Sequence, residues 1–254
     1  MTSSSAVGPR ISIVIPAYNE ETRIERTLRA LLSYLGSRDD VEILVVMDGC
    51  TDRTPELVAK FAEKDHRVIP LVFERRLGKG GALLRGFKSA RGDIIVMCDA
   101  DMPTTPDEVM RLASMIGDYD LVVGSRYVNG TKLVRRPSLV RFLLSRAFNV
   151  LVRVMFRGLR NFKDTQCGLK AMKRTLFKVI KDSLMISGFA FDVNLIYSAL
   201  RANAKVKEVG VYWRHVEEGS KLSHEVLKTI LKMMFSLLKL KAYYLGLKFI
   251  NFKG

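Results

Sequence analysis

Cysteine is scarce in this sequence. Its 254 residues hold three, Cys50, Cys98 and Cys167, an odd number at wide spacing that suggests neither a disulfide framework nor a zinc site. A reducing cytosol fits such usage best. Long apolar runs are missing as well: no stretch holds 18 uncharged apolar residues, so no confident membrane span is expected. Residues 1–10 lack the apolar segment of a signal peptide and read as a flexible lead. Internal repeats and low-complexity tracts are absent. So is G-x-G-x-x-G after the first apolar run, where Pro16-Ala17-Tyr18 stands instead, which argues against a nicotinamide-dependent oxidoreductase.

Acidic side chains are scarce in one half of the chain only. Residues 1–120 carry 16 Lys/Arg against 19 Asp/Glu, whereas residues 121–254 carry 26 against 7, and the whole chain has a net charge of +16. A basic second half points to phosphate-bearing or membrane-surface partners. Nucleic acid is the remote alternative. No zinc finger, helix-turn-helix or RNP-like aromatic pattern accompanies the charge, so no nucleic-acid partner is expected.

What is present is alternation. Apolar runs at Ile11–Ile15, Ile43–Met47, Val68–Phe73, Ile94–Cys98 and Leu121–Val123 read as buried strands. Periodic segments at Glu21–Leu35, Thr54–Lys64, Gly80–Ser89 and Pro106–Ile116 read as helices between them. This pattern predicts an α/β doubly wound, mostly parallel sheet flanked by helices. In the second half, basic amphipathic helices are expected at Ser138–Arg157 and from Ser223 to about Lys248, with a break near Gly246. The first has Arg141, Arg146, Arg153 and Arg157 opposite an apolar face of Leu144, Phe148, Leu151 and Met155. In the second, Lys228, Lys232 and Lys239 share a face. A further helix is expected at Phe191–Ala202 and a strand at Val206–Trp213.

Position singles out Asp99-Ala100-Asp101. Ligands of open α/β sheets bind outside the carboxyl ends of strands; this pair ends one, while Asp118-Tyr119-Asp120 precedes one. Two carboxylates beside a diphosphate suit Mg²⁺ or Mn²⁺, which take their remaining oxygens from phosphate and water. At the end of the first strand Pro16 stiffens the exit, Tyr18 offers a flat face to a nucleobase and Asn19 is placed to cap the following helix. The second strand ends in Asp48, placed to accept a base N–H. Three neighbouring loops thus compose a nucleotide-diphosphate site.

These residues resemble the GT-A glycosyltransferases of family 2, and among them the polyprenyl-phosphate sugar synthases. The likeness rests on Ile13-Val14-Ile15-Pro16-Ala17-Tyr18-Asn19-Glu20, Val45-Val46-Met47-Asp48-Gly49-Cys50-Thr51-Asp52, Asp99-Ala100-Asp101 and Val123-Gly124-Ser125-Arg126-Tyr127. Gly78-Lys79-Gly80-Gly81-Ala82, Asp164-Thr165-Gln166-Cys167-Gly168-Leu169-Lys170, Trp213 and Gly219-Ser220-Lys221 resemble the dolichyl-phosphate glucosyltransferases, with the mannosyltransferases next.

The resemblance implies a catalytic domain over 11–222, with nucleotide-sugar binding in 11–127 and the acceptor side in 128–222, followed by an amphipathic tract over 223–254. It implies that Pro16, Tyr18, Glu20, Asp48, Lys79, Asp99, Ala100 and Asp101 hold the donor, and Asp99 and Asp101 a metal. Arg126, Gln166, Arg214, Ser220 and Lys221 would meet the acceptor and its phosphate, with Asp101, Arg126 and Asp192 the catalytic candidates. The implied reaction is an inverting transfer of glucose or mannose from UDP-glucose or GDP-mannose to a polyprenyl (dolichyl) phosphate. It would run at the cytoplasmic face of an anionic membrane, to which the chain attaches peripherally. A relative using a soluble sugar acceptor would keep its general base at Asp192, and that alternative stays open at this point.

Overall fold

In the computed structural model, residues 10–135, 139–214 and 224–246 are described. The chain begins β1 (Ile11–Ala17), α1 (Ile24–Leu35), β2 (Val41–Asp48), α2 (Thr54–Lys64), β3 (Val68–Phe73) and α3 (Lys79–Ser89). It continues through β4 (Ile94–Met97), α4 (Pro106–Ser114), β5 (Leu121–Ser125), β6 (Lys132–Arg135) and α5 (Leu139–Met155). The remainder is β7 (Lys170–Lys173), α6 (Arg174–Ile180), α7 (Phe191–Arg201), β8 (Val206–Gly210), β9 (Tyr212–Arg214) and α8 (His224–Tyr244).

Seven strands form one sheet in the order β3-β2-β1-β4-β7-β5-β8, and every pairing is parallel except the two made by β7. The expected doubly wound, mostly parallel sheet is what forms. Its central strands are buried on both faces, which is why they read as continuous apolar runs. Ile13, Ile15, Ile43, Val45 and Val96 face α1, α2 and α4. Val14, Leu44, Val46, Ile95 and Met97 face the layer that holds α3, α6 and α7, with Val152 of α5 and Leu237 and Leu240 of α8. The strand order reverses between β1 and β4, so the crevice outside their carboxyl ends is a topological switch point.

Two expectations are corrected. Asn19 does not cap α1, which begins at Ile24 without a side-chain cap; its amide instead binds the backbone N–H and the hydroxyl of Thr51 at 2.9 and 3.1 Å, fastening the first loop to the second. The single strand expected over Val206–Trp213 is two, because Val211 turns the chain from the large sheet into a small parallel pair with β6. Strand β7 was not anticipated, since Lys-Ala-Met-Lys carries no apolar run. On α5, Leu139, Leu143, Val150 and Val154 are exposed, Arg146 and Arg153 are half-buried, and the side chain of Arg141 lies outside the described residues. The tract after Gly246 lies outside the described residues, as does the lead before Arg10.

Candidate active site

Asp99 and Asp101 leave the carboxyl end of β4 in a tight turn, where Met102 holds a left-handed φ of +42° and its N–H returns to the Asp99 carbonyl at 3.1 Å. Such a backbone is costly away from glycine and is sustained here by what surrounds it. The turn is fixed to α1 by the Thr27 hydroxyl, which donates to the Ala100 carbonyl at 2.7 Å. Behind Asp99 lies Gly168, where any Cβ would overlap the carboxylate. Glycine at that position is therefore a space requirement of Asp99.

Lys79, the first residue of α3, sends its ammonium to Asp99 Oδ1 at 2.8 Å and stands 3.7 Å from Asp192 Oδ2. The other oxygen of Asp192 accepts from Lys170 Nζ, which also donates to the Cys167 carbonyl at 2.6 Å. Asp192 and Lys170 are almost entirely buried. Burial alone raises a carboxyl pKa, but Lys79, Lys170 and Arg126 together hold Asp99 below the usual range. Asp101 is compensated only in part, by Arg23 and Lys79, so burial and then the Asp99 charge push it up to about 6. Two crowded carboxylates, one of them raised by its neighbour, form a hard-oxygen donor set that suits a small divalent cation completed by phosphate and water. Among the described residues no third His, Cys, Asp or Glu joins them.

The glycines around Lys79 are not a phosphate cradle. The N–H groups of Gly80 and Gly81 both reach the Ser187 carbonyl, at 2.7 and 3.1 Å, and a Cβ on Gly80 would collide with the Ile186 carbonyl. They bring α3 against the loop before α7 and so bring Lys79 to Asp192. On the opposite wall, Asp48 accepts from the backbone N–H groups of Leu77 and Gly78, the latter at 3.0 Å. The Arg76 guanidinium lies 3.3 Å from the centre of the exposed Tyr18 ring and 3.6 Å from Asp48. Tyr18, Asp48 and Arg76 thus meet at the ends of β1 and β2. Glu20 pairs with Arg23 at 2.6 Å, and Pro16 lies within β1 opposite Val46.

Arg126 follows β5 and is gripped by Asp164, a fully buried carboxylate that takes two guanidinium bonds at 2.7 and 2.9 Å and the Arg126 N–H at 3.0 Å. Its guanidinium also stands 5.2 Å from the Trp213 ring and 5.3 Å from Tyr127. Gln166 enters through its backbone, donating to Asp164 at 3.1 Å. The Arg214 N–H donates to the Pro103 carbonyl at 2.7 Å, tying β9 to the turn that carries Asp101. Ser220 and Lys221 lie outside the described residues. The second acidic pair is elsewhere: Asp120 binds Lys173 and the Lys205 N–H at the other end of β5. The roles of Lys170, Asp164, Arg76 and Gly168 were not read from sequence. The signal available for Asp164, Gly168 and Lys170 was the motif that carries all three, with Lys170 set between the apolar Leu169 and Ala171.

The sequence model described as Glycosyl transferase family 2 matches residues 12–181. The chain belongs to that family. It is accordingly a glycosyltransferase, and its GT-A architecture agrees. Among curated relatives, Glycosyltransferase AglD of Haloferax volcanii is 37% identical over 83% of this chain and 34% of its own length. Dolichyl-phosphate beta-glucosyltransferase of Dictyostelium discoideum is 32% identical over 89% of this chain and 74% of its own, and that of Homo sapiens 35% identical over 84% and 69%. The chain therefore spans about a third of the archaeal relative. In fold it is similar to the Mycobacterium tuberculosis glucosyl-3-phosphoglycerate synthase solved with UDP, with a TM-score of 0.71 at 22% identity over 95% of this chain and 82% of that one. The same enzyme with Mn²⁺, UDP-glucose and phosphoglyceric acid has a TM-score of 0.70 at 21% identity, over 95% and 81%.

Proposed function

We propose that this family 2 enzyme transfers glucose from UDP-glucose to a polyprenyl phosphate of the dolichyl type at a membrane surface, with Mg²⁺ or Mn²⁺ held by Asp99 and Asp101. The observation that carries the reading is identity above 30%, over most of the chain, to several proteins named dolichyl-phosphate beta-glucosyltransferase. The disposition of charge at the switch point supports it. When bound, the cation supplies positive charge against the donor diphosphate.

The residues around it do the rest. Tyr18 and Asp48, with Pro16 stiffening the strand exit, receive the nucleoside. Lys79 supplies a half-buried cation beside the diphosphate, Arg126 and Arg214 serve the acceptor phosphate, and Lys221 is assigned the same role on its sequence position alone. A phosphomonoester has a second pKa of about 6 and arrives largely as the dianion, so it needs no strong base to attack. One of its oxygens bonds to the anomeric carbon as the bond from that carbon to the UDP oxygen breaks, and no proton changes place. Positioning and stabilisation of the departing diphosphate are what the protein must provide.

Asp192 bears on the alternative. Sealed between two lysines, it has no open approach for a sugar hydroxyl, and a soluble-acceptor transferase relying on it as general base is not favoured. The test is an assay with Mg²⁺ and either UDP-glucose or GDP-mannose, with and without dolichyl phosphate. Sugar is expected in the organic extract only with UDP-glucose and the lipid together. Incorporation that ignores the lipid, or that prefers GDP-mannose, overturns the reading.

A further inference from the structure

We infer that Lys79 is a built-in counter-ion of Asp99 that must leave this carboxylate whenever a divalent cation is held there, which makes metal and nucleotide diphosphate bind cooperatively. The inference rests on the proposed metal role of Asp99 and Asp101. What carries it is the placement of one ammonium between two carboxylates of unequal commitment. Asp99 Oδ1 receives Lys79 at 2.8 Å, at the partly exposed end of the cluster. Asp192 already has Lys170 on one oxygen and offers Lys79 only its second, at 3.7 Å. Lys79 therefore neutralises Asp99 chiefly, while Asp192 lies beneath it as an anchor that is otherwise balanced.

Two consequences follow from that asymmetry. A cation entering at Asp99 competes with an ammonium already in contact, so the protein without nucleotide should hold metal weakly. Lys79, once released, stays beside Asp192 at the mouth of the crevice with its charge unpaired by Asp99. A diphosphate bound there takes up that charge, so each ligand removes a cost from the binding of the other, and the coupling must be reciprocal. Lys79 is thus a positioning residue for the metal as well as a cation for the donor.

The test measures Mn²⁺ binding, by electron paramagnetic resonance or calorimetry, with and without UDP and no acceptor. In the unaltered protein UDP should tighten Mn²⁺ binding about tenfold or more. Lys79→Gln removes the competitor: Mn²⁺ alone should bind about fivefold tighter, and the UDP effect should shrink by a similar factor, what remains being the direct ligation of the cation by diphosphate oxygens. Lys79→Arg keeps the counter-ion, so Mn²⁺ alone should bind no tighter than to the unaltered chain; this second variant serves if the glutamine variant does not fold. Unchanged or weaker Mn²⁺ binding in a folded Lys79→Gln, or tighter binding in Lys79→Arg, overturns the inference. Asp101→Asn separates the underlying reading: if that variant binds Mn²⁺ as the unaltered protein does, the metal site itself is misplaced.

Discussion

A buried carboxylate with a single guanidinium partner tests how the acceptor side is built. Asp164 is fully buried, and Arg126 gives it two side-chain bonds and one backbone bond. Burial raises its pKa, but Arg126 and the surrounding N–H groups more than reverse this and hold it below its ordinary 3.8. A depressed folded-state pKa contributes stability that is present above the unfolded value and lost as pH falls through the folded one. Asp164→Asn should therefore cost about 3 kcal/mol at pH 7 by leaving Arg126 without its charge partner. In denaturant titrations that difference should narrow as pH falls below 3.8. A gap of equal size at pH 7 and pH 3 would show that packing, and not the ion pair, is what the substitution removes.

Legibility at this scale followed sequence distance. Asp99 and Asp101 announced themselves because a strand end and its carboxylates are contiguous. Lys79 and Asp99, 20 residues apart, and Lys170 and Asp192, 22 apart, meet only because α3, β7 and α7 converge, and no local pattern encodes that convergence.

Among the elements, the most legible strands were β1, β2 and β4, buried on both faces and apolar at nearly every position, with Ser12 and Glu42 bonded to each other at 2.6 Å across β1 and β2. Strand β7 escaped because two of its four residues are lysines, although it sits mid-sheet: Ala171 pairs with both Val96 and Val122. The long α8 was legible as a helix, but not which side of it faces the protein. Leu237 and Leu240 are buried in the core, and Tyr244 reaches the Ser198 hydroxyl at 2.7 Å while stacking edge-on against Tyr197. Leu231, Phe235 and Leu238 point outward. Leu237 and Tyr244 therefore pack on the protein and are not free to enter lipid. Leu237→Ala should cost about 2–5 kcal/mol through the cavity it leaves, whereas Leu238→Ser, at an exposed position, should stay within about 0.5 kcal/mol. Urea unfolding of the two variants checks this, and equal losses would mean that α8 is not docked as described.

At the scale of the whole molecule, the question is how a chain with no helix, among the described residues, long and apolar enough to cross a membrane could reach a lipid-borne acceptor. Two observations support the proposed attachment to a membrane surface. The residues beyond 120 carry a large excess of Lys/Arg. On α8, exposed Lys232 and Lys239 alternate with exposed Leu231, Phe235 and Leu238; the side chain of Lys228 lies outside the described residues. Lysines near an anionic bilayer contribute about 1 kcal/mol each, and apolar side chains add a part that salt does not screen. The chain should therefore co-sediment with vesicles containing phosphatidylserine, weakly or not at all with neutral vesicles, and less as salt is raised. At 1 M salt the screening length falls to about 3 Å, so whatever remains bound is held by inserted apolar residues. Replacing Leu231, Phe235 and Leu238 together by serine should abolish that residue of binding, yet spare most binding at low salt and leave the core untouched. Truncation before α8 would be a poor control, because it also uncovers the core that Leu237 and Leu240 complete. If the triple variant sediments like the unaltered chain at both salt concentrations, the outer face of α8 is not the attachment surface. The exposed Leu139, Leu143, Val150 and Val154 of α5 then become the face to alter next.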